Sequence, residues 1–221
     1  MEVRQVLLAR TIQLFRTNAT VGYLPDVAKM IVEHYEFVVS PKKDELFPVL
    51  PQPSGQPKAV EFKHGRLRKP DGRVLVIQQL AMFNGGFAVD TTTSTEDSDI
   101  VLRDLIMLLQ PETPSELKQG TKLYVSQVEI QASPSIENLV PASATLGVSI
   151  TSLLQSYGLE VARYQVADLT FGADPLGLTP PAPIPFQLQR RIGVPYKGNI
   201  WYSQAPLTTR DHVNVLRNLD S

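Results

Sequence analysis

Residues 59–92 read AVEFKHGRLR-KPDG-RVLVIQQLAMF-NGG-FAVDTT, three extended runs broken by two turns. In Lys69-Pro70-Asp71-Gly72, proline presets one dihedral and glycine accepts positive φ. Asn84-Gly85-Gly86 is a second tight turn. The flanking runs, Ala59 to Leu67, Arg73 to Phe83 and Phe87 to Thr92, are therefore strands in series, an antiparallel meander. Val74-Leu75-Val76-Ile77 is apolar on both faces, which predicts a central strand covered on both sides.

Outward from the meander, Thr93 to Asp97 combines capping hydroxyls with acids suited to the positive end of a helix dipole. The body that follows, Ile100 to Leu109, is apolar nearly all round and should lie deep against the meander, with Pro111 and Pro114 ending it. Residues 111–121 read as a polar connection. Upstream, Val6 to Phe15 fits a strand with Val6, Leu8, Ile12 and Leu14 on one face, interrupted by Arg10, or a helix with the stripe Leu7, Leu8, Ile12 and Phe15, and the strand is preferred. Pro25-Asp26 opens a helix with Val27, Met30, Ile31 and Tyr35 on one stripe. Phe37-Val38-Val39 reads as a short strand, and five prolines between 40 and 58 mark a surface loop. Downstream, Lys122 to Gln131 alternates as a strand. Pro141 begins a helix with the stripe Leu146, Ile150, Leu153, Leu154 and Tyr157, stopped by Gly158. Glu160 to Phe171, Phe186 to Ile192 and Asn199 to Ser203 read as strands. Five prolines in 173–185 imply extended chain. Thr208 caps a last helix, with Asp211 three residues on.

The order is β-α-β-β-β-α-β-α-β-β-β-α. Helices are too sparse for regular βαβ alternation, so the class is α+β, a mainly antiparallel sheet packed by about four helices. No repeat of 20–50 residues is apparent. One domain over 1–221 is expected, with 111–121 as the place of any subdivision.

The chain has 221 residues, 43% hydrophobic and 19% charged, enough to build a core. A net charge of -1 gives no global field for nucleic acid or an acidic membrane, so such binding needs a local patch. With no cysteine there is no disulfide, thiol nucleophile or thiolate metal site. No signal peptide or membrane-spanning run is read, and a cytoplasmic location is expected by default.

Glu61-Phe62-Lys63 has the E-x-K spacing of metal-dependent nucleases, in which the acid holds a metal and the lysine orients water. The second acid such sites need is available only as Asp26, at a helix start; an exposed pair on an edge strand is the plainer reading. Lys58, Lys63, His64, Arg66, Arg68, Lys69 and Arg73 surround the first turn, against Glu61 and Asp71. Of these Lys63, Arg66, Arg68, Lys69 and Arg73 are the candidate nucleic-acid contacts, since a basic hairpin can track phosphates. A solvated edge that resists sheet-to-sheet pairing is the preferred explanation of them. Asp90, Glu96, Asp97 and Asp99 offer oxygens to a hard cation but lack calcium-loop spacing, and capping accounts for two of them. His34, His64 and His212 are scattered without ligand spacing. No catalytic residue, metal site or cofactor is assigned.

Phe186, Leu188, Arg190 and Ile192 would share one strand face. Arg190 is then an anion-binding residue or half of a buried pair, because an unpaired buried charge is costly. Tyr196, Trp201 and Tyr202 are the candidate partner contacts, since tyrosine and tryptophan concentrate at interface hot spots.

The run Asn199-Ile200-Trp201-Tyr202-Ser203-Gln204-Ala205-Pro206-Leu207-Thr208 with His212, and the stretches from Leu24 to Tyr35 and from Val89 to Asp99, resemble parts of bacterial reading frames. That resemblance implies a bacterial or phage origin and brings no activity with it. The residues together suggest a non-enzymatic interaction or assembly subunit that self-associates or binds a protein partner. The alternative is a nucleic-acid-binding protein or metal-dependent nuclease using the hairpin at 58–73. No membrane is implied.

Overall fold

The structure is a computed structural model that describes residues 1–15, 25–42, 59–83, 85–109, 120–132, 136, 141–160, 163–177 and 180–219. Most of the expected 40–58 loop and of the 111–121 connection lie outside these residues, as do Lys58 and Asn84. The described chain runs β1 (Glu2–Leu14), α1 (Pro25–Tyr35), β2 (Val60–Arg68), β3 (Val74–Phe83), β4 (Gly86–Thr91), α2 (Thr95–Leu108), β5 (Thr121–Gln131), α3 (Pro141–Ser156), β6 (Asp168–Phe171), β7 (Phe186–Arg190), β8 (Ile200–Ala205) and α4 (Thr209–Leu219). The strands form an antiparallel sheet in the order β2-β3-β4-β1-β5-β8-β7-β6, and the fold is α+β.

This order is one module, β-α-β-β-β-α, written twice, a repeat that the sequence reading does not find. Set residue against residue, the sequences of β4-α2 and β8-α4 match Thr95 with Thr209, Asp97 with Asp211, Val101 with Val215, Leu102 with Leu216, Arg103 with Arg217 and Leu105 with Leu219. Ser94 and Thr208 then fall on the same capping position. The strand registers carry the match outward, setting Gln79-Leu80 of β3 on Gln187-Leu188 of β7. The cross-strand pair Arg10–Asp90 likewise falls on the pair Gln127–Gln204. Helices α1 and α3 close alike. Glu36 and Gly158 have φ of 50° and 80°. The next amide bonds back across the turn in both, Phe37 to the Val32 carbonyl at 3.2 Å and Leu159 to the Leu154 carbonyl at 3.1 Å.

By compactness the chain divides into two units, Leu8–Ser126 with Leu207–Thr209, and Met1–Leu7 with Gln127–Pro206 and Arg210–Ser221. In the former, α1 and α2 pack on the meander around Ile31, Tyr35, Phe62, Phe87, Leu102 and Leu105, all fully buried. Each such side chain contributes about 1.5–3 kcal/mol of apolar burial. Helix α2 buries Val101, Leu102 and Leu105, while Met107 is 61% exposed, so its apolar girth is covered on one side rather than all round. Strand β3 does lie between β2 and β4. It is not covered on both faces, however: Leu75 and Ile77 are buried, but Val74 and Val76 are about half exposed at 45% and 50%.

The β2–β3 ribbon changes its inward residues midway. Phe62 and Leu80 pair on the core side, and so do Gly65 with Ile77 and Leu67 with Leu75, an odd spacing on both strands. His64, with φ of 59°, turns the face of β2 at that point. Val38 and Val39 hydrogen-bond there, and Phe37 lies over Gly65, where an added Cβ would sit 2.5 Å from the ring.

In the other unit, Val128, Ile130, Leu188, Trp201 and Leu216 form the core. The strand expected over 160–171 is confined to 168–171. β7 ends at Arg190, leaving Ile192 outside it and 87% exposed. The proline-rich segment includes one helical turn at Pro175–Gly177. The largest departure is α3: of its expected stripe, Ile150 and Leu154 are half-buried, but Leu146 is 61%, Leu153 54% and Tyr157 70% exposed, and none of the described α3 side chains is in the buried core cluster.

Candidate functional site

The basic hairpin is held by carboxylates. Glu36, in its left-handed conformation at the end of α1, takes the guanidinium groups of both Arg66 and Arg68. Their hydrogen bonds, Arg68 foremost, hold the Glu36 carboxyl below its ordinary range. Asp71 pairs with Arg73 at 2.8 Å and is lowered by the Arg73 backbone amide and guanidinium. Lys63 pairs with Glu61 at 2.9 Å, so the two charged residues of the E-x-K motif face each other in solvent. Lys69 stands beside a cleft of about 750 Å³ between the hairpin end and α2, lined by Leu67, Arg68, Ile100, Arg103, Met107 and Lys122 among others. Lys122 is tied to Asp99 at 2.6 Å.

Of the acidic group, Asp90 and Asp99 are engaged in ion pairs. Asp90 forms a two-pronged bond to Arg10, 2.7 Å on each oxygen. The backbone amide of Asp97 donates to the Ser94 hydroxyl. Asp104 on α2 accepts from the Tyr35 hydroxyl at 2.9 Å and contacts His34 at 2.7 Å, which latches α1 to α2. Burial and this neighbouring carboxylate push the Tyr35 phenol up. Among the described residues no three histidine or acidic side chains converge on a metal-sized site.

Arg190 is 5% exposed. It donates to the Val166 and Tyr196 carbonyls and to Asn199 Oδ1 at 2.9 Å. Its guanidinium lies 4.2 Å from the Trp201 ring centroid and 4.9 Å from that of Tyr196. Asn199, left-handed with φ of 48°, also accepts from the Trp201 indole and donates to the Ala132 carbonyl. Trp201, read from sequence as a partner contact, is wholly buried under this cage and offers no surface in this fold. Tyr196 remains 42% exposed, and Tyr202 bonds Gln204 at the half-buried end of β8.

Sequence reasoning also passed over a buried serine–histidine pair. His212 Nε2 is 2.8 Å from Ser203 Oγ, which donates to the Gln187 carbonyl. With the serine proton so used, His212 donates from Nε2 and leaves Nδ1 without a partner. Burial pushes the imidazole down to about 4. Both side chains are fully buried, so the pair lies out of reach of a substrate.

Among the described residues, α3 carries several of the exposed large hydrophobic side chains on one element. Residues 141–156 carry no charge. Its small residues are the ones held: Thr151 accepts from the Tyr164 amide at 2.9 Å, and a Cβ on Gly147 would lie 2.3 Å from the Tyr164 carbonyl. The flank of Leu146, Leu153 and Tyr157 beside this held face is in solvent, as is Leu159 at 51% exposure. Monomeric proteins rarely leave such contiguous apolar surface uncovered. No protein-family model matches the chain, and no curated protein matches it.

Proposed function

We propose that this chain acts through protein–protein association, as a non-enzymatic interaction or assembly subunit of a bacterial or phage-encoded complex. The observation that carries this reading is the uncharged α3 with Leu146, Leu153 and Tyr157, on one side of the helix, each more than half exposed. Large apolar and aromatic side chains with no charge to desolvate are what interface cores are made of. The inaccessible Ser203–His212 pair and the carboxylate-held arginines of the hairpin support this ranking over hydrolysis or phosphate tracking. A photo-crosslinking phenylalanine at position 157 tests it in producing cells, with one at the isolated exposed Ile192 as control. Protein adducts should form from 157 and not from 192. No adduct from 157 would overturn the reading.

A further inference from the structure

The two modules use the same helix differently, and the difference points to what covers α3. Aligned on their shared left-handed end, Ile31 corresponds to Leu153, Tyr35 to Tyr157 and Phe37 to Leu159. The α1 residues are 0%, 0% and 6% exposed; their α3 counterparts are 54%, 70% and 51% exposed. The surface that would receive such a helix is correspondingly open. Phe62, under α1 in the first module, is fully buried, whereas Leu169, its counterpart on β6, is only partly so. Val101 on α2 is 0% exposed; its counterpart Val215 on α4 is 38%. Phe171 pairs with Phe186 across β6 and β7, on the side where Phe186 meets the His212 ring of α4, and is 55% exposed. Among the described residues the second module thus has an apolar helix face in solvent and, beside α4, an apolar strip, Leu169, Phe171 and Val215, that is more open than its counterpart in the first module.

We infer that two copies of the chain exchange these surfaces, α3 of each lying on the strip along α4 and β6 of the other. This rests on the association reading above and names its partner as a second copy. Three observations favour a second copy over the chain's own α3. Helix α3 is fastened through Thr151 and Gly147 to Tyr164, and covering its own strip would break that attachment, whereas a copy's strip requires no break. The absence of charge on 141–156 lets the faces meet without burying an ion. A two-fold pair engages Leu146, Leu153, Tyr157, Phe171 and Val215 twice, because both complementary surfaces lie on the same chain. The first module supplies the polar contact as well: Tyr35 donates to Asp104, and their counterparts are Tyr157 and Asn218. The Tyr157 hydroxyl of one copy therefore donates to the Asn218 side chain of the other.

The chain has no cysteine, so single introduced thiols report cleanly. Leu153→Cys and Val215→Cys, both at exposed positions, are made in separate chains of different tag length and mixed with a short bismaleimide. The expected product is a link between the two different chains, strong in the mixture and weak in either variant alone. Tyr157→Phe should weaken dimerisation roughly five-fold, the loss of one hydrogen bond. A double variant, Leu153→Cys with Val215→Cys, that closes into an internally linked monomer would overturn both this inference and the association reading, because α3 would then cover its own strip. No link between chains, with photo-adducts at 157 to a different protein, would overturn the second copy as occupant and leave the association reading standing.

Discussion

At the residue scale, Arg190 and His212 set the second core. Arg190 reaches three oxygens and stacks between Tyr196 and Trp201, a planar arrangement that an ammonium group cannot copy. Arg190→Lys should therefore cost roughly 2–3 kcal/mol, from lost charged hydrogen bonds and stacking. Arg191 lies half exposed against Glu129 at 3.2 Å, and Arg191→Lys should stay within about 0.5 kcal/mol. Parallel urea denaturation checks the pair, and equal small losses would contradict the cage. His212 makes stability pH-dependent. Its folded value, about 4, lies below the 6.5 of a free histidine, so the unfolded chain binds more protons between those values. Stability from this group is full above about pH 6.5 and falls as pH drops toward 4, by on the order of 3 kcal/mol. In His212→Gln, urea midpoints at pH 7 and pH 4.5 should differ less than in the parent. The alternation around Phe186 and Leu188 made the inward side of Arg190 legible in the sequence. The left-handed Asn199 that completes its cage, and the serine beneath His212, were not, because both act through contacts that only the β7–β8 register creates.

At the scale of elements, the starts of α2 and α4 are tied reciprocally. The Thr95 amide donates to Thr209 Oγ1 at 3.0 Å and the Thr209 amide to Thr95 Oγ1 at 2.7 Å, with Ser126 and Thr11 completing a buried hydroxyl group. Thr209→Val keeps the shape and removes the acceptor for a buried amide, so it should cost about 1–3 kcal/mol. Thermal melts that place Thr209→Val level with an exposed Arg210→Ala would contradict that. Turn chemistry, helix caps and the alternating strands carried most element positions, including the hairpin at Lys69 to Gly72 and the start of α3 at Pro141. The module repeat escaped because only the VLRDL of α2 and VLRNL of α4 retain obvious identity. The strands before them diverged, Phe87-Ala88-Val89-Asp90 against Trp201-Tyr202-Ser203-Gln204, since each packs a different core. The α3 stripe misled for a related reason: periodicity reports that a face is apolar, and says nothing of which molecule covers it.

At the scale of the whole molecule, no helix among the described residues is long and apolar enough to cross a membrane. The hairpin cations are largely matched by carboxylates, so few phosphates can be neutralised and nucleic-acid affinity should be weak, with a shallow salt slope. Mobility shifts with single- and double-stranded DNA should vanish near physiological salt, and both substrates should survive Mg²⁺ or Mn²⁺ intact. Tight binding abolished by Arg66→Ala with Arg68→Ala, or cleavage abolished by Glu61→Gln, would move the hairpin ahead of α3. The account rests on α3 as a surface made to be covered by a second copy. Light scattering at tens of micromolar should give twice the 24.5 kDa chain mass, and Leu153→Glu with Tyr157→Glu should return a folded species of 24.5 kDa. A wild-type chain that scatters as a 24.5 kDa monomer across that range would contradict it.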